Sequence, residues 1–194
     1  KAGGDTSVLQ YGRMFDGVSM NDLRVTEEEW AQAGSLLSDD LKAAIALAAE
    51  NIRSFHAQQM ELPAAVNIAA GISCWRKPVA IEKVGLYIPG GTAPLFSTLL
   101  MLGIPAQLAG CREIVVCTPP AIDGSIHPAI LYTASLIGIR SVYKAGGVQA
   151  IAAMAYGTAT VPDVYKIFGP GNQYVTCAKQ LLGREGVAID LPAG

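Results

Sequence analysis

The sequence predicts an open α/β fold: a mainly parallel sheet with helices on both faces, preceded by an N-terminal helical segment. Three observations predict it. Short runs rich in Val, Ile and Tyr recur at Lys83–Ile88, Glu113–Cys117, Ser141–Lys144, Tyr165–Phe168 and Val187–Asp190, starting 22 to 30 residues apart. Apolar helical stretches fill the intervals at Pro94–Ala109, Pro128–Ile137, Val148–Tyr156 and Asn172–Leu182, and this alternation is the pattern of βαβ units. The composition also changes near Pro78, with a more charged, helically patterned stretch before it. The chain therefore divides into a helical segment at 1–77 and a sheet-bearing unit at 78–194.

The N-terminal elements begin with recognisable caps. Thr26-Glu-Glu-Glu29 reads as a capping box opening a short helix that carries Trp30, Ala33 and Leu37 on one face. Its three glutamates read as a solvated first turn favoured by the helix dipole. Ser38-Asp-Asp caps a longer helix, in which Leu41, Ile45, Ala48, Ile52 and Phe55 form one apolar stripe until Pro63 stops it. That stripe must pack on the following unit or on a second subunit, and the pattern does not choose between them. In the sheet, right-handed crossovers bring the turns after successive strands to one edge.

Composition narrows the function classes. The chain has 194 residues, a formal charge of −2, 51% apolar and 15% charged residues, and a mean hydropathy of +0.35. It lacks the basic balance by which nucleic-acid binders displace phosphate counterions. No apolar run reaches the roughly 18 residues of a membrane span, and no leader pattern follows Lys1. Cys74, Cys111, Cys117 and Cys177 form no CxxC pair, and His56 and His127 are the only histidines. Four buried thiols in a reducing cytoplasm, with no metal ligands, is the expectation. His56 and His127 read as structural or solvated. Cys117 ends a strand near the functional edge, but no histidine is evidently placed to generate its thiolate.

Four of the five strands run into special backbone residues: PGGTAP at Pro89–Pro94, TPP at Thr118–Pro120, AGGVQA at Ala145–Ala150 and GPGN at Gly169–Asn172. Glycine is unfavourable unless a positive φ or a close backbone approach uses it, and ligands of open α/β sheets bind at the carboxyl ends of strands. None of these turns is GxGxxG, and no P-loop occurs. The polar side chains expected along the edge are Tyr87, Thr92, Gln149 and Asn172, suited to hydrogen-bonding ribose, phosphate or carboxamide without ionising. Asp190, at the end of the last strand, could reach the same edge or cap the next turn. One reading of this edge is a non-catalytic binding module for a phosphorylated metabolite.

Longer motifs favour another. VGLYIPGGTAPLFST at Val84–Thr98, GGVQAIAAMAYGT at Gly146–Thr158, KIFGPGNQYVTCAK at Lys166–Lys179 and IDLPAG at Ile189–Gly194 resemble the histidinol dehydrogenase family. The GD and FDG phrases near Gly4 and Phe15 resemble its N-terminal region. The resemblance implies a Rossmann-like NAD-binding domain at 78–194, truncated at its C-terminal end, behind an N-terminal packing or dimerisation segment at 1–77. It implies a cytoplasmic, zinc-containing homodimer that oxidises L-histidinol through the aldehyde to L-histidine and reduces two NAD⁺. Tyr87, Gln149 and Asn172 fall on the family's NAD-contacting positions. The family's zinc ligands and its proton-handling Glu-His pair lie beyond the LPAG motif, so the resemblance places no catalytic or metal residue in this chain and implies a fragment inactive alone.

Overall fold

The computed structural model describes residues 3–60, 63–91 and 93–191. Thr92 and the end of the LPAG motif therefore lie outside the described residues. A short helix α1 (Gly4–Tyr11) runs directly into one π-helical turn (Gly12–Asp16), followed by α2 (Glu27–Gln32) and α3 (Asp39–Ala57). A hairpin of β1 (Val66–Ala69) and β2 (Ile72–Cys74) precedes the alternating unit. That unit is β3 (Lys83–Tyr87), α4 (Phe96–Leu108), β4 (Glu113–Thr118), α5 (Pro128–Leu136), β5 (Val142–Lys144), α6 (Gly147–Tyr156), β6 (Lys166–Phe168), α7 (Gln173–Gly183) and β7 (Ala188–Ile189). Every strand and helix expected there is present, with ends shifted by at most two residues.

The five strands β3 to β7 form a parallel sheet in the order β5-β4-β3-β6-β7. The chain starts at the central strand, builds outward to β5, then crosses to β6 on the other side. The reversal between β3 and β6 is a topological switch point, which opens a crevice at the strands' carboxyl ends. Each face carries its own apolar core. One joins β3 and β4 to α3, α4 and α5 through Ile45, Leu86, Ile104 and Leu131; the other joins them to α1, α6 and α7 through Val8, Val115, Ile151 and Val175.

The capping box forms as the sequence predicts: the Glu29 N–H donates to Thr26 Oγ1 at 3.2 Å, and the Thr26 N–H to Glu29 Oε2 at 2.9 Å. Ser38 caps α3 by accepting the Leu41 N–H. The α3 stripe packs on α4 of the same chain, which decides its partner. Its last member departs: Phe55 is 64% exposed and meets His56 edge-on. The hairpin breaks the helical character expected before Pro78. Its strands are three and four residues long, too short to stand out by periodicity, and they turn through Gly71 at φ +77°. Val66, Ile68, Ile72 and Trp75 there are exposed.

Glu29 also departs from the solvated reading. Its Oε2 lies 2.7 Å from the Lys144 ammonium, with side-chain exposures of 17% and 10%, and its Oε1 accepts the Ile126 N–H. This pair ties α2 to the end of β5, which the chain at Leu23 and Arg24 also covers. Burial pushes the Glu29 carboxyl up, but hydrogen bonds from Lys144, Thr26 and Ile126 with the lysine's charge outweigh it, and the net shift is downward. A lowered carboxyl contributes stability that is complete above the ordinary value of 4.5 and fades as pH falls through the folded value. Glu29→Gln is therefore expected to flatten the acid limb of a stability-versus-pH curve from urea melts; an unchanged limb would contradict the assignment.

Candidate functional site

The carboxyl edge of the sheet is one continuous rim. Pro119, after β4, is its central contact: a Cβ added at Gly90 would lie 2.6 Å from its Cγ, and one at Gly146 2.6 Å from its Cβ. The turns after β3, β4 and β5 thus touch. On the other side, Gly169 has φ +129°, and a Cβ there would collide with the Tyr87 carbonyl, lying 2.9 Å from its carbon. Only glycine lets the GPGN turn approach β3 this closely.

Tyr87 and Gln149 come together on this rim, and both are covered. They are 5% and 6% exposed. The Gly147 N–H, first in α6, donates to the Tyr87 hydroxyl oxygen at 3.1 Å. Burial raises the Tyr87 pKa, against the bond from Gly147 and with help from the nearby Asp16 and Cys117, so the phenol stays neutral and keeps its proton to donate. Gln149 Nε2 donates to Asp16 Oδ2 at 2.9 Å. Asp16 belongs to the FDG phrase of the π-helical turn, so the N-terminal segment roofs this part of the rim. Desolvation raises its carboxyl pKa, opposed by the Gln149 bond. Gln149 also borders a cavity of about 430 Å³ between α1 and α6, with Tyr11, Phe15 and Tyr156 on its walls.

Asn172 stands at the mouth of α7, exposed, with φ −71° and ψ 177°. Its Oδ1 accepts the Tyr174 and Val175 N–H groups at 3.1 and 3.0 Å, which leaves its amide NH₂ as the outward donor. Behind it lies a small closed network. Asp190 Oδ2 accepts the Gly169 N–H at 2.8 Å, the Lys179 ammonium donates to the Gly169 carbonyl at 2.9 Å, and Lys179 pairs with the other oxygen of Asp190. One glycine thus has both backbone polar groups held by an ion pair whose lysine is buried.

Other residues singled out in the sequence have structural places. Cys117 is fully buried, and desolvation pushes its thiol to about 12, which removes it as a nucleophile. Cys74 and Cys177 are exposed, contrary to four buried thiols, because one sits on the bare hairpin and the other on the outer side of α7. His127 caps α5 by accepting the Ala129 N–H, and His56 faces Gln59. Among the described residues, no group of three or more His, Cys, Asp or Glu could hold a metal ion, and no helix is long and apolar enough to cross a membrane. Sequence reasoning did not assign Asp16 or Lys179 a place in the site. Their signal was only membership of the FDG phrase and of the KIFGPGNQYVTCAK motif, since their partners are 133 and 11 residues away.

The histidinol dehydrogenase family profile matches residues 1–194. Histidinol dehydrogenase of Bacteroides thetaiotaomicron is 62% identical over 194 residues, covering all of this chain and 45% of that protein. The Bacteroides fragilis enzyme is 59% identical with the same coverage. The crystal structure of histidinol dehydrogenase from Elizabethkingia anophelis superposes with a TM-score of 0.95 at 56% identity, covering 98% of this chain and 44% of that one. The chain thus spans somewhat less than half the length of these relatives. A profile match along the whole chain, with a fold this close, shows that the chain belongs to the histidinol dehydrogenase family.

Proposed function

We propose that this chain is the NAD-binding portion of an enzyme that oxidises L-histidinol to L-histidine through the aldehyde, the last step of histidine biosynthesis. The observation that carries the proposal is the meeting of Tyr87 with the Gly169–Asn172 turn at the switch between β3 and β6, where open α/β sheets take nucleotides. NAD⁺ fits this rim by chemistry: a neutral phenol and amides that need no ionisation, on turns that glycines let pack against one another at the strands' carboxyl ends. When bound, NAD⁺ supplies the hydride acceptor. The chain's residues bind and orient it: Tyr87 as a neutral donor, Gln149 from the first turn of α6, and Asn172 through its outward NH₂. The cavity beside Gln149 would receive part of the dinucleotide.

The described residues do not fit a zinc site, so no step within this chain runs through zinc, which the relatives' extra length would have to supply. Residues 78–194 carry Tyr87, Gln149 and Asn172, and residues 1–77 serve packing or dimerisation, with α1 and Asp16 also covering the rim. The bare hairpin at Val66–Cys74 supports contact with a partner, here a second subunit of a cytoplasmic homodimer. A non-catalytic metabolite-phosphate module is the weaker reading, because the family profile and the relatives that match along the whole chain are histidinol dehydrogenases.

Calorimetric titration with NAD⁺ tests the proposal. Saturable binding is expected, and Asn172→Ser, which keeps the cap but loses the NH₂, should weaken it about tenfold, the worth of one good hydrogen bond. The chain alone should not turn over histidinol. Absence of NAD⁺ binding, or turnover without the remaining length, would contradict the proposal.

A further inference from the structure

The two amides of the rim are held in opposite senses. Asn172 spends its oxygen on the Tyr174 and Val175 N–H groups and keeps its NH₂ outward. Gln149 does the reverse: its NH₂ is engaged by Asp16 Oδ2 at 2.9 Å. An ionised carboxylate only accepts, so Asp16 fixes which end of the Gln149 amide faces it. The carbonyl oxygen is left over Gly147, where an added Cβ would meet it at 3.1 Å. The Gly147 N–H is already given to Tyr87. Gly146 brings the backbone close to the carboxylate: a Cβ there would lie 3.4 Å from Asp16 Oδ2. This end of the rim therefore offers acceptors and negative charge, while the α7 end offers donors.

We propose that Asp16 is a positioning residue that locks the Gln149 amide with its oxygen toward the ligand, so that Gln149 accepts a hydrogen bond from the dinucleotide. This rests on the NAD⁺ reading of the rim and adds a direction to it. Among the groups of NAD⁺, only the ribose hydroxyls and the amino groups of the carboxamide and adenine can donate; the pyrophosphate cannot. The pyrophosphate is therefore excluded from Gln149, and its place is toward Asn172.

The test uses three forms of the chain: wild type, Asp16→Asn, and the double variant Asp16→Asn with Gln149→Glu. In Asp16→Asn the substituted amide can present either an oxygen or an NH₂, so the Gln149 amide is freed to turn, and NAD⁺ affinity is expected to fall about tenfold. In the double variant, the amide introduced by Asp16→Asn donates to one oxygen of the carboxylate introduced by Gln149→Glu. The other oxygen remains an acceptor, so affinity should return to within about threefold of wild type. Circular dichroism melts of the same three proteins separate loss of fold from loss of binding. ADP-ribose, which lacks nicotinamide, locates the donor: a parallel loss in Asp16→Asn places it on ribose or adenine, and an unchanged affinity places it on the carboxamide, both in support. Wild type binding NAD⁺ while Asp16→Asn binds equally well, or a folded double variant that recovers nothing, overturns the positioning role alone. Wild type failing to bind NAD⁺ overturns the reading of the rim and this inference with it.

Discussion

Alanine at Gly169 is expected to destabilise the chain by about 3 kcal/mol, the upper range for enforced backbone strain, and to abolish NAD⁺ binding. Two independent effects combine there. The residue has φ +129°, which side chains rarely tolerate, and the new Cβ would run into the Tyr87 carbonyl of the neighbouring strand. Neither obstacle is a flexible side-chain end, so relief requires β3 and β6 to separate at the switch point. Urea denaturation gives the stability change. Alanine at Gly171 is the milder comparison, because its φ lies outside the positive range and its Cβ would crowd Val175, in the first turn of α7, which can shift without parting two strands of the sheet. Equal effects at the two positions would contradict the close-approach argument.

The second large effect lies in the ion pair behind the same turn. Asp190→Asn preserves shape and an oxygen for the Gly169 N–H but leaves the Lys179 ammonium, whose side chain is 8% exposed, without its counter-charge. Stranding a buried charge is strongly destabilising, here about 3 kcal/mol, the low end for such pairs because Asp190 is 27% exposed. Adding Lys179→Met removes the stranded charge and should recover much of the loss. A double variant less stable than Asp190→Asn would mean that Lys179 acts chiefly through the Gly169 carbonyl.

The fold was legible because its signals are local and repeated. Strand runs separated by apolar helices, with glycine turns at their ends, place the parallel sheet and its rim. The Thr26 and Ser38 caps are set by side chains three residues from their partners. What the pattern could not carry is non-local. Glu29 looks like one of three solvated glutamates until β5, more than a hundred residues later, brings Lys144 to it. Asp16 has no periodic or capping signature, and its role exists only because α1 lies on α6. Of the named rim residues, Tyr87 and Gln149 meet through Gly147 but are roofed by the N-terminal segment, a burial that strand and helix signals leave open. Asn172 is visible as a helix entrance in the sequence and stands as one in the structure.

The most direct measurement of the rim as a cofactor site is an NMR titration of ¹⁵N-labelled chain with NAD⁺. The account predicts saturable shifts at the Gly90, Gly147, Gly169 and Gly171 amides and the Asn172 side-chain NH₂, with the bare hairpin at Val66–Cys74 unmoved. Shifts confined to the hairpin or to the outer faces of α3 and α7, or no shifts at saturating NAD⁺, would contradict it.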